Sequence, residues 1–282
     1  MLAPHPDVFV PPGKEPDYFN RRVLKVDYDD FLERSYSKAP PRPHRGDMSV
    51  NYSMMPRAVV AELHRLHPDL KLVMILRDPV ERSWSQLKLV HDLMSRTWTR
   101  SPLHRWRRRP LDAMTEARLH REIAHPRVVR RSDYARIIDI WTGVFGPAAM
   151  HIEIHDDLQR EPRRVVERIL RHLGADPGAW PVPPDIDTPI FGSGATVDMP
   201  PSIRAWLAQR WIEPTIELDR RLDGRLGRWV SEMEHARRDE RVFRPMLPHR
   251  LAIASDRIAY AVFEGMRWTR VRRRLRRIPR PN

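Results

Sequence analysis

The stretch KLVMILRDPVERSWSQ, residues 71–86, decides the fold. Behind Lys71 runs a continuous apolar segment, Leu72–Leu76, of strand length, which predicts a strand buried on both faces as in a parallel sheet. It stops at Arg77-Asp78-Pro79-Val80-Glu81. There Asp78 has a side chain suited to capping a helix, Pro79 has the fixed φ of a first helical residue, and Glu81 stands at capping-box spacing. The helix is expected to run to about Met94. A strand that ends in arginine and passes at once into a capped helix is a ready-made anion site. The helix start offers N–H groups and partial positive charge, and Arg77 adds a formal one. Ser85, about two turns in, carries a hydroxyl able to reach the same anion. The plainer alternative makes Arg77 an ion-pair partner and Ser85 an ordinary helix residue.

Working outward, residues 1–20 read as extended and proline-studded, and 37–46 as a loop. Pro56 opens a helix in which Val59, Leu63 and Leu66 recur on one face, ending at His67-Pro68-Asp69. Downstream, helices are expected near 111–123 and 133–145, a strand at 149–155, and a helix at 161–173 stopped by Gly174. A Pro/Gly-rich loop follows at 177–199, then a helix at 201–223. One more helix, 251–264, runs into an arginine-rich tail. This alternation predicts an α/β fold with a parallel sheet flanked by helices, occupying residues 1–232, with 233–282 as a basic helical C-terminal extension.

At 282 residues the chain has ample core for such a domain. The absence of cysteine excludes disulfides and thiolate metal sites. A metal would need His and carboxylates. His151-x-Glu153-x-His155 places three such groups on one strand face, which partial exposure of the strand explains equally well, and no metal is assigned. His64 and His67 read as surface histidines, and Trp84, Trp141, Trp206, Trp211 and Trp229 as core. No Rossmann glycine fingerprint or nucleophilic triad spacing is present. The start has neither a basic n-region nor an apolar h-region, and no apolar run is long enough to cross a bilayer. A soluble or peripheral, cytoplasmic protein is the expectation.

The formal charge is +14, and only five of the 51 basic residues are lysines. Eight arginines and no Asp or Glu lie between Arg267 and Asn282. A second cluster, Arg105 and Arg107–Arg109 around Trp106, lies mid-chain. Such runs suit an anionic membrane surface or nucleic acid, or form a solvated, partly disordered tail. No nucleic-acid-binding fold accompanies them, so no stable nucleic-acid complex is expected.

Four collinear segments resemble the sulfotransferase family, whose members transfer sulfuryl groups from 3′-phosphoadenosine 5′-phosphosulfate. LRDPVERSWSQ is similar to the family's 3′-phosphate-binding segment, in which the strand-ending arginine and a serine eight positions later hold that phosphate. These fall on Arg77 and Ser85, and Arg82 also occupies a familiar family position. HPDVFVPPGKEPDYF (5–19) resembles the segment just after the donor-binding loop, and GDMSVNY (46–52) the G-E-x-S-x-x-Y element. Residues 132–174 resemble the later helix, strand and helix.

The resemblance covers about residues 2–230. It implies the P-loop-like sulfotransferase fold, with 3′-phosphoadenosine 5′-phosphosulfate as donor and a hydroxyl or amine of a carbohydrate, lipid or small molecule as acceptor. In carbohydrate-type relatives the Glu of K-E-x-x-(F/Y)-F is the base that takes the acceptor's proton, here Glu15. Lys14 and Asp47 would lie near the acceptor. Asp47 replaces the commoner Glu, Val50 a frequent Pro, and Met48 a Lys found in some glycan-modifying members.

The family's first strand and its K-x-G-T-T/S phosphosulfate loop have no counterpart here. The expectation is therefore a sheet with an exposed edge, poor stability and weak or absent transfer. The alternative is an inactive, truncated relative that binds anionic partners, a nucleic acid or a membrane surface, through its arginine tail. Acceptor specificity is expected in 95–131 and 177–199.

Overall fold

The computed structural model describes every residue except 1, 3, 12–14, 21, 38–41, 98–109, 189–196, 239–246 and 281–282. The mid-chain cluster at 105–109 therefore lies outside the described residues. In chain order the elements are β1 (Val8–Phe9), α1 (Tyr28–Tyr36), β2 (His44–Arg45), α2 (Arg57–Leu66), β3 (Leu72–Leu76), α3 (Pro79–Thr97), α4 (Glu116–Ala124), α5 (Pro126–Val129), α6 (Tyr134–Phe145), β4 (Met150–Ile154), α7 (His155–Arg160), α8 (Pro162–Leu173), α9 (Pro201–Arg221), α10 (Gly227–Arg237) and α11 (Leu247–Arg276). They form two compact units, each discontinuous in sequence: residues 1–76, 136–191 and 263–282, and residues 77–135 and 192–262. The fold is mixed α/β, mostly helical, with two small parallel sheets.

In the first unit β3 pairs with β4 in parallel, from Leu72 opposite Met150 to Leu76 opposite Ile154. The parallel pairing is as expected, but the sheet has only these two strands among the described residues. Burial of β3 on both faces is therefore corrected. Leu76 is buried, whereas Val73 and Ile75 are 39% and 42% exposed, because no element among the described residues covers them fully.

On β4, Glu153 is buried and accepts two hydrogen bonds from Arg168 of α8, at 2.7 and 2.9 Å. His151 Nε2 lies 2.8 Å from the same carboxylate. Burial alone would push Glu153 up, but the Arg168 and His151 contacts hold it below the usual carboxylate range. The alternation of His151, Glu153 and His155 thus serves a structural pairing. Among the described residues no His/Asp/Glu group is placed to hold a metal.

β1 and β2 also pair in parallel, Val8 with His44 and Phe9 with Arg45. Part of the expected loop at 37–46 is therefore strand. Val8 packs with Val166, Leu170, Ala175, Trp180 and Ile186. Gly174 closes α8 in the left-handed conformation, φ +87°, as its position predicts. An aromatic core seats the segment after residue 15. Tyr18 stacks on Phe31 of α1 at 4.2 Å, and Phe19 meets Tyr28, Tyr52 and His67. His67 is half-buried with Nε2 2.6 Å from the Tyr28 hydroxyl, and burial pushes its pKa down. The surface reading is corrected for this histidine.

The second unit is helical. α9 packs on α10 and α3, burying Trp84, Trp211 and Trp229, and Trp84 Nε1 donates to the Val197 carbonyl at 3.1 Å. α11 is longer than its sequence pattern predicts, reaching Arg276. The tail is thus helical rather than partly disordered over this stretch. Within the first unit Trp268, Val271 and Leu275 are buried, and Arg272 and Arg276 hold Glu62 at 3.3 and 2.7 Å.

Candidate functional site

The turn leaving β3 behaves as its sequence predicts in one respect and departs from it in another. Asp78 caps α3: its Oδ1 accepts the N–H groups of Val80 at 2.7 Å and Glu81 at 3.4 Å. The capping box does not form, because the Glu81 carboxylate turns to Arg204 at 2.7 Å. The expected free helix N-terminus is also corrected. Its N–H groups are occupied by the cap, and the cap itself is a carboxylate.

What remains for an anion is side chains. Arg77 is gripped through its backbone: the Tyr134 hydroxyl accepts its N–H at 3.2 Å and donates to its carbonyl at 2.7 Å. Its guanidinium is half-buried and has no carboxylate partner among the described residues. One turn into α3, Arg82 is in the same position, with a buried Nη1 that has no hydrogen-bond partner. Burial first, and Arg77 second among the charges, push the Arg82 guanidinium below its usual range, while Tyr134 opposes this. Two cations with no carboxylate partner among the described residues are chemically suited to an anion, since guanidinium forks match phosphate and sulfate. Ser85, half-buried on α3, has no hydrogen-bond partner among the described residues.

Asp78 is buried beside Glu81 and Glu232. Burial dominates and raises it to about 6, against the two N–H bonds. A carboxyl raised in the folded state contributes stability that is present below its unfolded value and is lost as pH rises through about 6. Asn caps equally well without the charge. Asp78→Asn is therefore expected to match the parent at pH ~4 and to exceed it by ~1–2 kcal/mol at pH ~8, in thermal melts. Asp78→Ala, which loses the cap as well as the charge, should lie ~1 kcal/mol below Asp78→Asn at both.

The second constellation lies in the first unit, where segments 15–20 and 47–52 lock together. Glu15 and Asp17 both sit at positive φ, 55° and 54°, a conformation uncommon outside glycine. Asp17 N–H donates to Ser49 Oγ at 2.9 Å, and Ser49 Oγ–H to Asp47 Oδ1 at 2.8 Å. Tyr52 O–H donates to Asp47 Oδ2 at 2.5 Å and accepts the Phe19 N–H at 3.5 Å. Asn51 Nδ2 donates to Asp17 at 3.1 Å and to Glu15 Oε2 at 3.5 Å.

Burial, with Asp17 adding a smaller contribution, raises Asp47 despite the bonds from Tyr52 and Ser49. Glu15 is exposed. The structure thus joins Glu15 and Asp47 in one polar network, and Lys14 lies outside the described residues. Sequence reasoning missed Asp17, Asn51 and Tyr134. The first two fall on unspecified positions of the resembled motifs, and Tyr134 acts through a contact made 57 residues from Arg77.

No protein-family model matches the chain, and no curated protein matches it by sequence. Among solved structures it is similar to a sulfotransferase from Alicyclobacillus acidocaldarius, with a TM-score of 0.57, 20% identity, and coverage of 81% of this chain and 90% of that one. The fold is similar to that of a bacterial sulfotransferase. At this identity the likeness concerns the fold. It agrees with the family resemblance carried by residues 5–19, 46–52, 71–86 and 132–174.

Proposed function

We propose that this protein is a transferase that moves a sulfuryl group from 3′-phosphoadenosine 5′-phosphosulfate to a hydroxyl or amine of a carbohydrate, lipid or small molecule. The observation that carries the reading is the pair of guanidinium groups, Arg77 and Arg82, which have no carboxylate partner among the described residues at the strand-to-helix turn of a sulfotransferase-like fold.

These residues fit the donor's phosphate chemistry. Arg77 and Ser85 would hold the 3′-phosphate, and Arg82 would gain the counter-charge its burial lacks. The donor supplies the activated sulfuryl group. Glu15 takes the proton of the acceptor as a general base, its solvent-facing position leaving it open to an incoming hydroxyl or amine. Asp47, fixed by Ser49 and Tyr52, holds the loop that carries Glu15 through Asp17 and Asn51.

The test is incubation of the purified chain with donor carrying radioactive sulfur and a panel of such acceptors, with calorimetric titration of the bisphosphate product alongside. Bisphosphate binding is expected, together with labelled acceptor formed at a low rate. Absence of both would overturn the reading.

A further inference from the structure

We infer that the outward face of α11 docks on an anionic lipid surface, with its apolar stripe in the headgroup region and its arginines on the lipid charges. This rests on the composition of that face alone and does not depend on the transfer reading.

At about 100° per residue, Leu247, Leu251, Ala254, Ile258 and Val262 fall within an arc of about 80°. Leu247, Leu251, Ile258 and Val262 are 66%, 62%, 67% and 57% exposed. The opposite face is the packed one. Asp256 there pairs with Arg121 at 2.8 and 3.0 Å, His249 lies 3.1 Å from His120, and Tyr260 meets the His125 ring. The stripe is therefore not a core face misread. It is a second apolar face, and the contacts of His249, Asp256 and Tyr260 engage only the first.

Charge decides the occupant. From Leu247 to the C-terminus the only carboxylate side chains are Asp256 and Glu264. Asp256 is taken by Arg121, and Glu264 is buried and bonded by Arg267 and by Trp268 Nε1. The outward face carries no negative side chain, while Arg250 and Arg257 stand exposed beside the stripe. A second copy of a chain with net charge +14 would bring like charges together. A nucleic acid would meet the arginines but leave four large apolar side chains in water. An anionic bilayer surface satisfies both, since an interfacial helix buries apolar side chains a few ångströms deep and gains from each arginine near anionic headgroups. No helix among the described residues is long and apolar enough to cross a membrane, so the helix would lie on the surface.

The experiment is co-sedimentation of the purified chain with vesicles of phosphatidylcholine alone and of phosphatidylcholine mixed with phosphatidylglycerol. Binding to the mixed vesicles only is expected. Leu251→Gln combined with Ile258→Gln should weaken it at least ~tenfold, since each removes an exposed apolar side chain from the membrane contact. Arg250→Gln and Arg257→Gln should weaken it about fivefold each, and less at high salt. All four positions are exposed, and unchanged thermal melts would show that the variants fold. Failure to bind the mixed vesicles overturns the inference. So does binding that survives the Leu251/Ile258 change, which would place the contact on the arginine tail alone. A dimer dispersed by that change, or RNA bound in preference to vesicles, overturns it equally.

Discussion

Glu15→Gln is expected to lower sulfuryl transfer ~10²- to 10⁴-fold while leaving affinity for the bisphosphate product unchanged, the range typical of losing a positioned general base. The substitution removes the basic carboxylate while keeping the side chain's size and an acceptor oxygen. Glu15 is exposed, and the 3.5 Å donation it accepts from Asn51 is one that the carbonyl oxygen of a glutamine also accepts. The loop around it is held by Asp17, Ser49 and Tyr52, none of which changes.

The same network supplies the rival. Asp47 is a half-buried carboxyl raised by burial, and such tuning is common in catalytic bases. If Glu15→Gln transfers at the parent rate and Asp47→Asn does not, the base is Asp47. If Asp47→Asn weakens transfer modestly and raises the requirement for acceptor, Asp47 only orients the loop. A rate profile against pH separates the cases further. A raised carboxyl used as base makes the rate climb through a higher pH than an exposed glutamate would.

Legibility in the sequence followed the range of the interactions. The β3 strand, the Asp78 cap, Pro79 as first helical residue, Gly174 as stop, and most helices were readable because a few adjacent residues determine them. α1 was missed, since Tyr28 and Phe31 alone give too short an apolar stripe, and its stability comes from stacking on Tyr18. The coverage of β3 was misjudged because an apolar run records the preference of the strand, not the number of its neighbours. Within the expected helical extension, the arginine-rich tail leaves a partly disordered end as one reading, because its arginines dominate the pattern. Burial of Trp268, Val271 and Leu275, and a carboxylate supplied by α2, decide otherwise. For the site, Arg77 and Ser85 follow from the strand-to-helix turn, and Glu15 and Asp47 only from the family resemblance. The occupied helix start, the clamp by Tyr134 and the roles of Asp17 and Asn51 required contacts across the chain.

Arg77→Ala is expected to weaken binding of the bisphosphate product roughly 10- to 100-fold, as loss of hydrogen bonds to a charged group implies. The fold should be spared, because Tyr134 holds Arg77 through its backbone N–H and carbonyl, which alanine retains. Arg77→Lys should recover only part of the affinity, keeping the charge but losing the planar fork. Arg82 provides the sharper contrast. A guanidinium with a buried, unpartnered nitrogen beside another cation is a liability to the empty protein, so Arg82→Met should melt no earlier than the parent, and later at low salt. If the pair exists to receive an anion, that same variant must bind the bisphosphate more weakly. Gain of stability with loss of affinity is the signature of a cation held in place for its ligand. A variant that loses stability instead would mean that Arg82 is satisfied within the fold, and a variant of either arginine that binds as the parent does would remove the phosphate assignment from this turn.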